Sequence, residues 1–330
     1  MKRRDFIQLL VAASLAPAEA LANFQRFVDG TSSKKVVRPS DNARITSDED
    51  EAGISINTST SRRRTQGRQI QNNTDTGADN ASVSSEPPVN EEDIKDYLSK
   101  IRAPDTPHHG DIYASPTELQ VLRRLAERFR KIVSLVGDGN FCVMGFDDAL
   151  NFAQKTSKVE AFGKDETDLL EQLFFHNAHD YGFYGEKQLT KLTDIIDRHD
   201  IYKVPYSGNF LFKGESLAKF ELVRKDMGND LILTSGIRGM VKQFYLFISK
   251  ALRFDGNLSL ASRSLAPPGY SYHATGDFDV GQRGFGPRNF TENFLDTSIY
   301  KNLSQRGYVQ YRYGRDNLKG VRFEPWHIKV

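Results

Sequence analysis

Cysteine is all but missing from this 330-residue chain, in which Cys142 stands alone. No internal disulfide is possible, which suits either the cytoplasm or an export route that carries folded protein. An excess of charge of one sign is missing too. The 45 Lys and Arg against 43 Asp and Glu leave a formal net charge of +2, too small to argue for nucleic acid as a partner. Apolar residues make up only 38%, low for a chain folded throughout, so part of it is expected to be disordered. The apolar run over residues 6–16 is too short to span a bilayer comfortably. No convincing internal repeat is present.

What is present begins at the N-terminus. Lys2, Arg3 and Arg4 form a basic opening, residues 6–16 a short, weakly apolar stretch, and Ala20-Leu21-Ala22 a small-x-small cleavage pattern. Residues 1–22 thus read as a secretory signal, and the paired arginines before Phe6 resemble a twin-arginine signal. That predicts an exported, periplasmic protein with no transmembrane span left after cleavage. Residues 23–88 are rich in Ser, Thr, Asn, Gln and Asp. They cannot bury enough surface to offset their ordering entropy, and the expected disordered linker is taken to residue 111.

From residue 112 the pattern turns helical. Ser115-Pro116-Thr117-Glu118 has an N-cap, a first-position Pro and an acidic first turn. Leu122, Leu125, Phe129, Ile132 and Val136 follow at spacings of three and four, the stripe of an amphipathic helix. Further helices are predicted over 147–154, 165–176, 186–198, 216–225 and 239–252, and a buried strand over 230–234. His176, His179 and Asp180 form a His-x-x-His-Asp cluster without a partner motif, read as structural or surface in role. Residues 112–202 are expected to be a helical extension or subdomain packed against a C-terminal domain at 203–330.

The chemistry concentrates in the last sixty residues. These open with Ser271-Tyr272-His273, continue through Gly276-Asp277-Phe278-Asp279, and close with Glu324-Pro325-Trp326-His327. A catalytic zinc takes three ligands from His, Asp, Glu or Cys and keeps a fourth position open. His273, Asp279 and His327 can supply the three, leaving Glu324 as the base that takes a proton from water. Glu324 and His327 are three apart, so a straight strand would separate them. Pro325 makes an uninterrupted central strand unfavourable, and a bend there brings both to one pocket.

These blocks, with Thr234-Ser235-Gly236-Ile237-Arg238 and Gln243 upstream, resemble the VanY-type D-alanyl-D-alanine carboxypeptidases. Those sit within the lysostaphin, D-Ala-D-Ala and hedgehog-like metallopeptidases. The order of the blocks agrees over about a third of the chain. One spacing departs: five residues, not six, separate His273 from Asp279, so Asp277 competes with Asp279 as ligand, or else partners a ligand histidine. The resemblance implies zinc and peptidoglycan stem peptides as substrate, with cross-link endopeptidase and inactive wall-binding module as the other readings. It also implies an α+β fold with a small, mainly antiparallel sheet and flanking helices, hedgehog/DD-peptidase-like. Arg238 would steady a substrate carboxylate or a carbonyl oxygen gaining charge. Gln243 either holds a substrate amide or lies on the solvent face of its helix. Ser271 either bonds substrate or shapes its turn, and Trp326 walls the pocket while packing inward.

Overall fold

Helices begin where the sequence supplies caps. In the computed structural model, which describes Pro87 and residues 90–330, Asn90 accepts the Asp93 N–H and opens α1 (Glu91–Arg102). Part of the expected linker is therefore a helix. Ile94, Tyr97, Leu98 and Ile101 recur at helical spacing, and Tyr97 donates from its hydroxyl to the Gly182 carbonyl at 3.0 Å. The apolar stripe is short, which is why composition averaged over the linker hid it. The expected signal at 1–22 and linker residues 23–86 lie outside the described residues.

Ser115 and Glu118 close a reciprocal capping box at the start of α2 (Pro116–Val136), as the sequence predicts. The short α3 (Asp138–Cys142), α4 (Phe146–Lys155) and α5 (Lys164–Phe175) follow. The helix predicted over 186–198 does not form. That stretch crosses the surface in turns, its Gln188 and Leu189 N–H groups taken by the Gly269 carbonyl and the Asp194 carboxylate accepting the Lys191 N–H. Local side-chain acceptors of this kind compete with helix formation. A hairpin of β1 (Ile201–Lys203) and β2 (Phe210–Phe212) comes next, then α6 (Glu215–Met227), β3 (Leu231–Ser235), α7 (Met240–Leu252) and α8 (Leu258–Ser264). After β4 (Phe278–Gln282), α9 (Ser298–Gln305) and β5 (His327–Ile328) end the chain's regular structure.

The second sheet is antiparallel in the order β3-β4-β5, and with its flanking helices the fold is α+β, as expected. Two cores form. One gathers Leu122, Leu125 and Phe129 of α2 with Leu170 and Phe174 of α5 and Phe244, Phe247 and Ile248 of α7. The other lies under the sheet, where Phe278 and Val280 meet Phe220, Ile299 and Leu303. The boundary predicted near 203 does not separate them, because α7, on the far side of it, is the centre of the helical core. Its apolar face needs the helices of residues 116–175, so they share one interior. None of the described helices is long and apolar enough to cross a membrane.

Candidate metal centre

β4 lies in the middle of its sheet, and that placement builds the site. Phe278 and Val280 face the core beneath, so Asp277 and Asp279, out of phase with them, face the other way. Register sets Asp279 against His327 on β5 and against Ser235 on β3, with an irregularity in β3 between Leu233 and Ser235. The Glu324 carbonyl accepts the His327 N–H at 3.2 Å, a turn through Pro325 that carries Glu324 back to the pocket. Glu324 Oε2 lies 3.9 Å from His327 Nδ1, as the proline predicts.

His273 arrives from a single 3-10 turn, Tyr272–Ala274. Gly276 follows at φ +133°, a conformation open mainly to glycine. The Gly236 carbonyl accepts from His273 Nδ1 at 2.9 Å. Gly236 itself admits no side chain, since a Cβ would stand 2.1 Å from the Phe210 carbonyl oxygen of the hairpin. With Nδ1 held, His273 presents Nε2, 3.3 Å from Asp279 Oδ1. His327 presents Nδ1 to the same oxygen at 3.1 Å. These three residues are buried, and their ligand atoms lie within 4.8 Å of one another.

The outer contacts decide between the two aspartates. His327 Nε2 lies 2.8 Å from Asp277 Oδ2, so Asp277 holds the ring from behind while Nδ1 faces inward. Arg312 grips Asp277 with two N–H donors, Nε at 2.8 Å and Nη2 at 2.9 Å, and the Val330 N–H adds a third at 2.9 Å. Asp279 instead turns Oδ1 to both histidines and takes Arg238 Nη2 on Oδ2 at 2.5 Å. A carboxylate behind a histidine fixes its tautomer and ring angle. Asp277 therefore stands behind His327, while Asp279 joins the two histidines in the group that could hold a metal. The donor set of two imidazoles, one carboxylate and a nearby free carboxylate fits a divalent metal with one open position.

Electrostatics follow the same division. Burial would lift Asp279, yet the His273 and Arg238 charges hold it well below the usual carboxylate range. Burial would likewise lift Asp277, but the His327 and Arg312 hydrogen bonds outweigh it and push it down. Burial lowers His273, and Arg238 adds to that. His327 is lowered by burial but raised further by Asp277 and Asp279, to about 9 without metal. Glu324 is pushed up to about 7, chiefly by burial and partly opposed by His327, the range a general base needs.

Other predicted site residues fall elsewhere. Gln243 is neither on a solvent face nor free for substrate. It is buried, its Nε2 donating to the Arg238 carbonyl at 2.9 Å and its Oε1 accepting the Gly269 N–H at 2.8 Å. A long polar side chain inside a packed helix face must satisfy its own amide, and here it ties the arginine turn to the Pro267-Pro268-Gly269 loop. Ser271 is buried at the head of the His273 turn, where its carbonyl accepts the Ala274 N–H. Trp326 packs inward, edge-on to Phe290 at 6.1 Å. The cavity it lines, of about 460 Å³, is shared with Ile101, Arg322 and Phe323 and not with the histidines. His176 and His179 diverge onto Tyr181 and Tyr184; Asp180 lies 3.0 Å from His176 Nε2 but without hydrogen-bond alignment. Sequence reasoning overlooked Arg312, which grips Asp277, and Tyr313, whose ring lies against His327. The alternation of Tyr308, Tyr311 and Tyr313 with Arg306, Arg312 and Arg315 was the signal available.

Comparison with known proteins agrees with the motif reading. Residues 214–330 match the family model of VanY, D-alanyl-D-alanine carboxypeptidase, which is the resemblance inferred from the sequence. No curated protein matches the chain. Among solved structures, the LD-carboxypeptidase LdcB is similar at 20% identity and a TM-score of 0.34, over 41% of this chain and 69% of LdcB. A variant of the vancomycin-resistance D,D-pentapeptidase VanY in complex with Zn(II) follows at 21% and 0.33, over 43% and 85%. VanYB in complex with D-alanine-D-alanine stands at 20% and 0.35, over 46% and 86%.

Proposed function

We propose that the protein is a zinc-dependent peptidase of peptidoglycan stem peptides, acting as a D-alanyl-D-alanine carboxypeptidase. The observation that carries this is the convergence of His273 Nε2, His327 Nδ1 and Asp279 Oδ1 beside Glu324, inside the segment that matches the VanY family. Those three residues would hold the metal. When bound, zinc supplies a polarised carbonyl and a water acidified towards neutrality.

The chain's own groups do the rest. Glu324 accepts a proton from the attacking water and passes it to the departing amine. Asp277, clamped by Arg312, keeps His327 in one ring orientation. Arg238 orients Asp279 through Nη2 and bonds Ser235 Oγ through Nε at 2.9 Å. Its permanent charge draws a substrate's terminal carboxylate towards the site. Export through the twin-arginine-type signal completes the reading, since the substrate lies outside the cytoplasm. Replacing Arg3 and Arg4 by lysine is expected to trap the precursor inside the cell.

The test is incubation of zinc-loaded protein with stem pentapeptide and mass spectrometry of the products. Release of a single terminal D-alanine supports the carboxypeptidase. An internal cut in cross-linked peptide shifts the assignment to endopeptidase. Absence of both, with no stoichiometric zinc, leaves a wall-binding module.

A further inference from the structure

We infer that Tyr313 is a catalytic residue of this site, its hydroxyl donating a hydrogen bond to the substrate carbonyl oxygen as that oxygen gains negative charge. This rests on the peptidase reading above and names a donor that the motif blocks do not contain.

The need for a donor arises from Arg238. Two of its donor nitrogens are engaged, Nη2 by Asp279 at 2.5 Å and Nε by Ser235 at 2.9 Å, so its guanidinium is fixed on the ligand side of the cluster. Lys219 donates to the Lys329 carbonyl at 2.5 Å, and Arg312 is clamped on Asp277. A neutral donor for the reacting oxygen requires a group beside the His327 cluster with no existing partner. Tyr313 meets both conditions. Its ring lies 6.2 Å from His327 and 6.3 Å from Tyr272, centroid to centroid. The residue is only 4% exposed. Among the described residues its hydroxyl makes no hydrogen bond, yet it is not among the polar atoms sealed away from solvent. Of the charges acting on it, that of Glu324 is the strongest. A buried ring with an unpartnered hydroxyl is unusual, because Tyr O–H usually finds a partner when the ring is buried.

The anchoring of the ring explains how the hydroxyl stays in place. Tyr313 packs with Phe183, Tyr272 and Val321 in a small core of its own, and neighbouring Arg312 stacks over Tyr272 at 4.0 Å while holding Asp277. One short segment thus fixes the carboxylate behind His327 and sets the Tyr313 ring against that histidine. Pre-positioned donors of this type act on the transition state without reorganising. No proton leaves the hydroxyl, and no bond to it forms or breaks.

The test compares full-length, zinc-loaded wild type with Tyr313→Phe, which keeps the ring and its packing. Zinc content and Tm are expected to be unchanged. On stem pentapeptide, kcat is expected to fall by about 10²-fold, the loss typical of one oxyanion donor, with KM moving far less. A second arm measures binding of a phosphinate analogue of the tetrahedral intermediate by calorimetry. Wild type should bind it at least ~10-fold tighter than Tyr313→Phe, and both should bind the product peptide alike. A kcat within about twofold of wild type, or equal analogue affinities, overturns the proposal. If the wild type turns over no stem peptide, the peptidase reading fails by itself, and the analogue arm decides the Tyr313 assignment. Absence of analogue binding to either protein also overturns it.

Discussion

The helical core and the polar face of the sheet solve opposite problems. Around α2 and α7, Leu125, Phe129, Ile132, Phe244 and Phe247 bury carbon against carbon. The charge buried beside that core is held in pairs, Glu166 with Arg128 at 3.0 Å and Asp111 with Arg263. On the sheet face opposite Phe278 and Val280, four ionisable groups are all buried and linked in a row, His273 to Asp279, Asp279 to His327 and His327 to Asp277, at 2.8–3.3 Å. Burying unpaired charge is very costly, and burying paired charge at best roughly breaks even. The polar face is therefore an arrangement retained for chemistry, and the shared helical interior supplies the stability that lets it persist. Substitutions in the two regions should separate cleanly, one affecting folding and the other metal and turnover.

The largest effect is expected from His327→Ala, which opens the coordination set. Metal and activity should vanish together, as zinc analysis and a stem-peptide assay would show, while the helical core stays folded by circular dichroism. Glu324→Gln should keep its metal and lose ~10²–10⁴ in rate, because an amide cannot accept the proton. Release of zinc from this variant would make Glu324 a ligand instead.

Leu125→Ala probes the other side of the comparison. Its side chain is fully buried, so unfolding free energy should drop by about 2–5 kcal/mol with zinc affinity and kcat unchanged below the melting range. A large change in either would show that the two regions are not separable. Asp277→Asn is expected to weaken zinc binding by about 10–100-fold, and Asp279→Ala by more. The reverse order in a metal titration would exchange their roles.

The smallest effect concerns pH. His327 in the metal-free fold is raised from 6.5 to about 9, so it contributes stability that is complete below pH 6.5 and lost as pH rises through 9. Glu324, raised from 4.5 to about 7, works in the same direction at lower pH, since the fold favours its protonated form. Metal-free protein should lose a few degrees of Tm across pH 6.5–9, and zinc should flatten that slope by holding His327 neutral. A metal-free Tm that rises over this interval would contradict the pairing of His327 with Asp277.

By itself, the sequence determined whatever depends on neighbours along the chain. The Ser115 cap, the α2 stripe, the β3 run and the Pro325 bend are local, and each appears as predicted. The residue types of the candidate site were legible because few side chains can hold a metal and they stood in motif order. Only tertiary structure decided the rest. The stretch 186–198 stays irregular because its amides find the Gly269 carbonyl some eighty residues on, a contact no periodicity encodes. Gln243 became a brace because both of its partners are buried backbone groups. The choice between Asp277 and Asp279 was made by the central position of β4 and by Arg312, 35 residues away in sequence. Hydrogen bonding acts through space, so which carboxylate faces both histidines and which stands behind His327 is fixed only when the strands have paired.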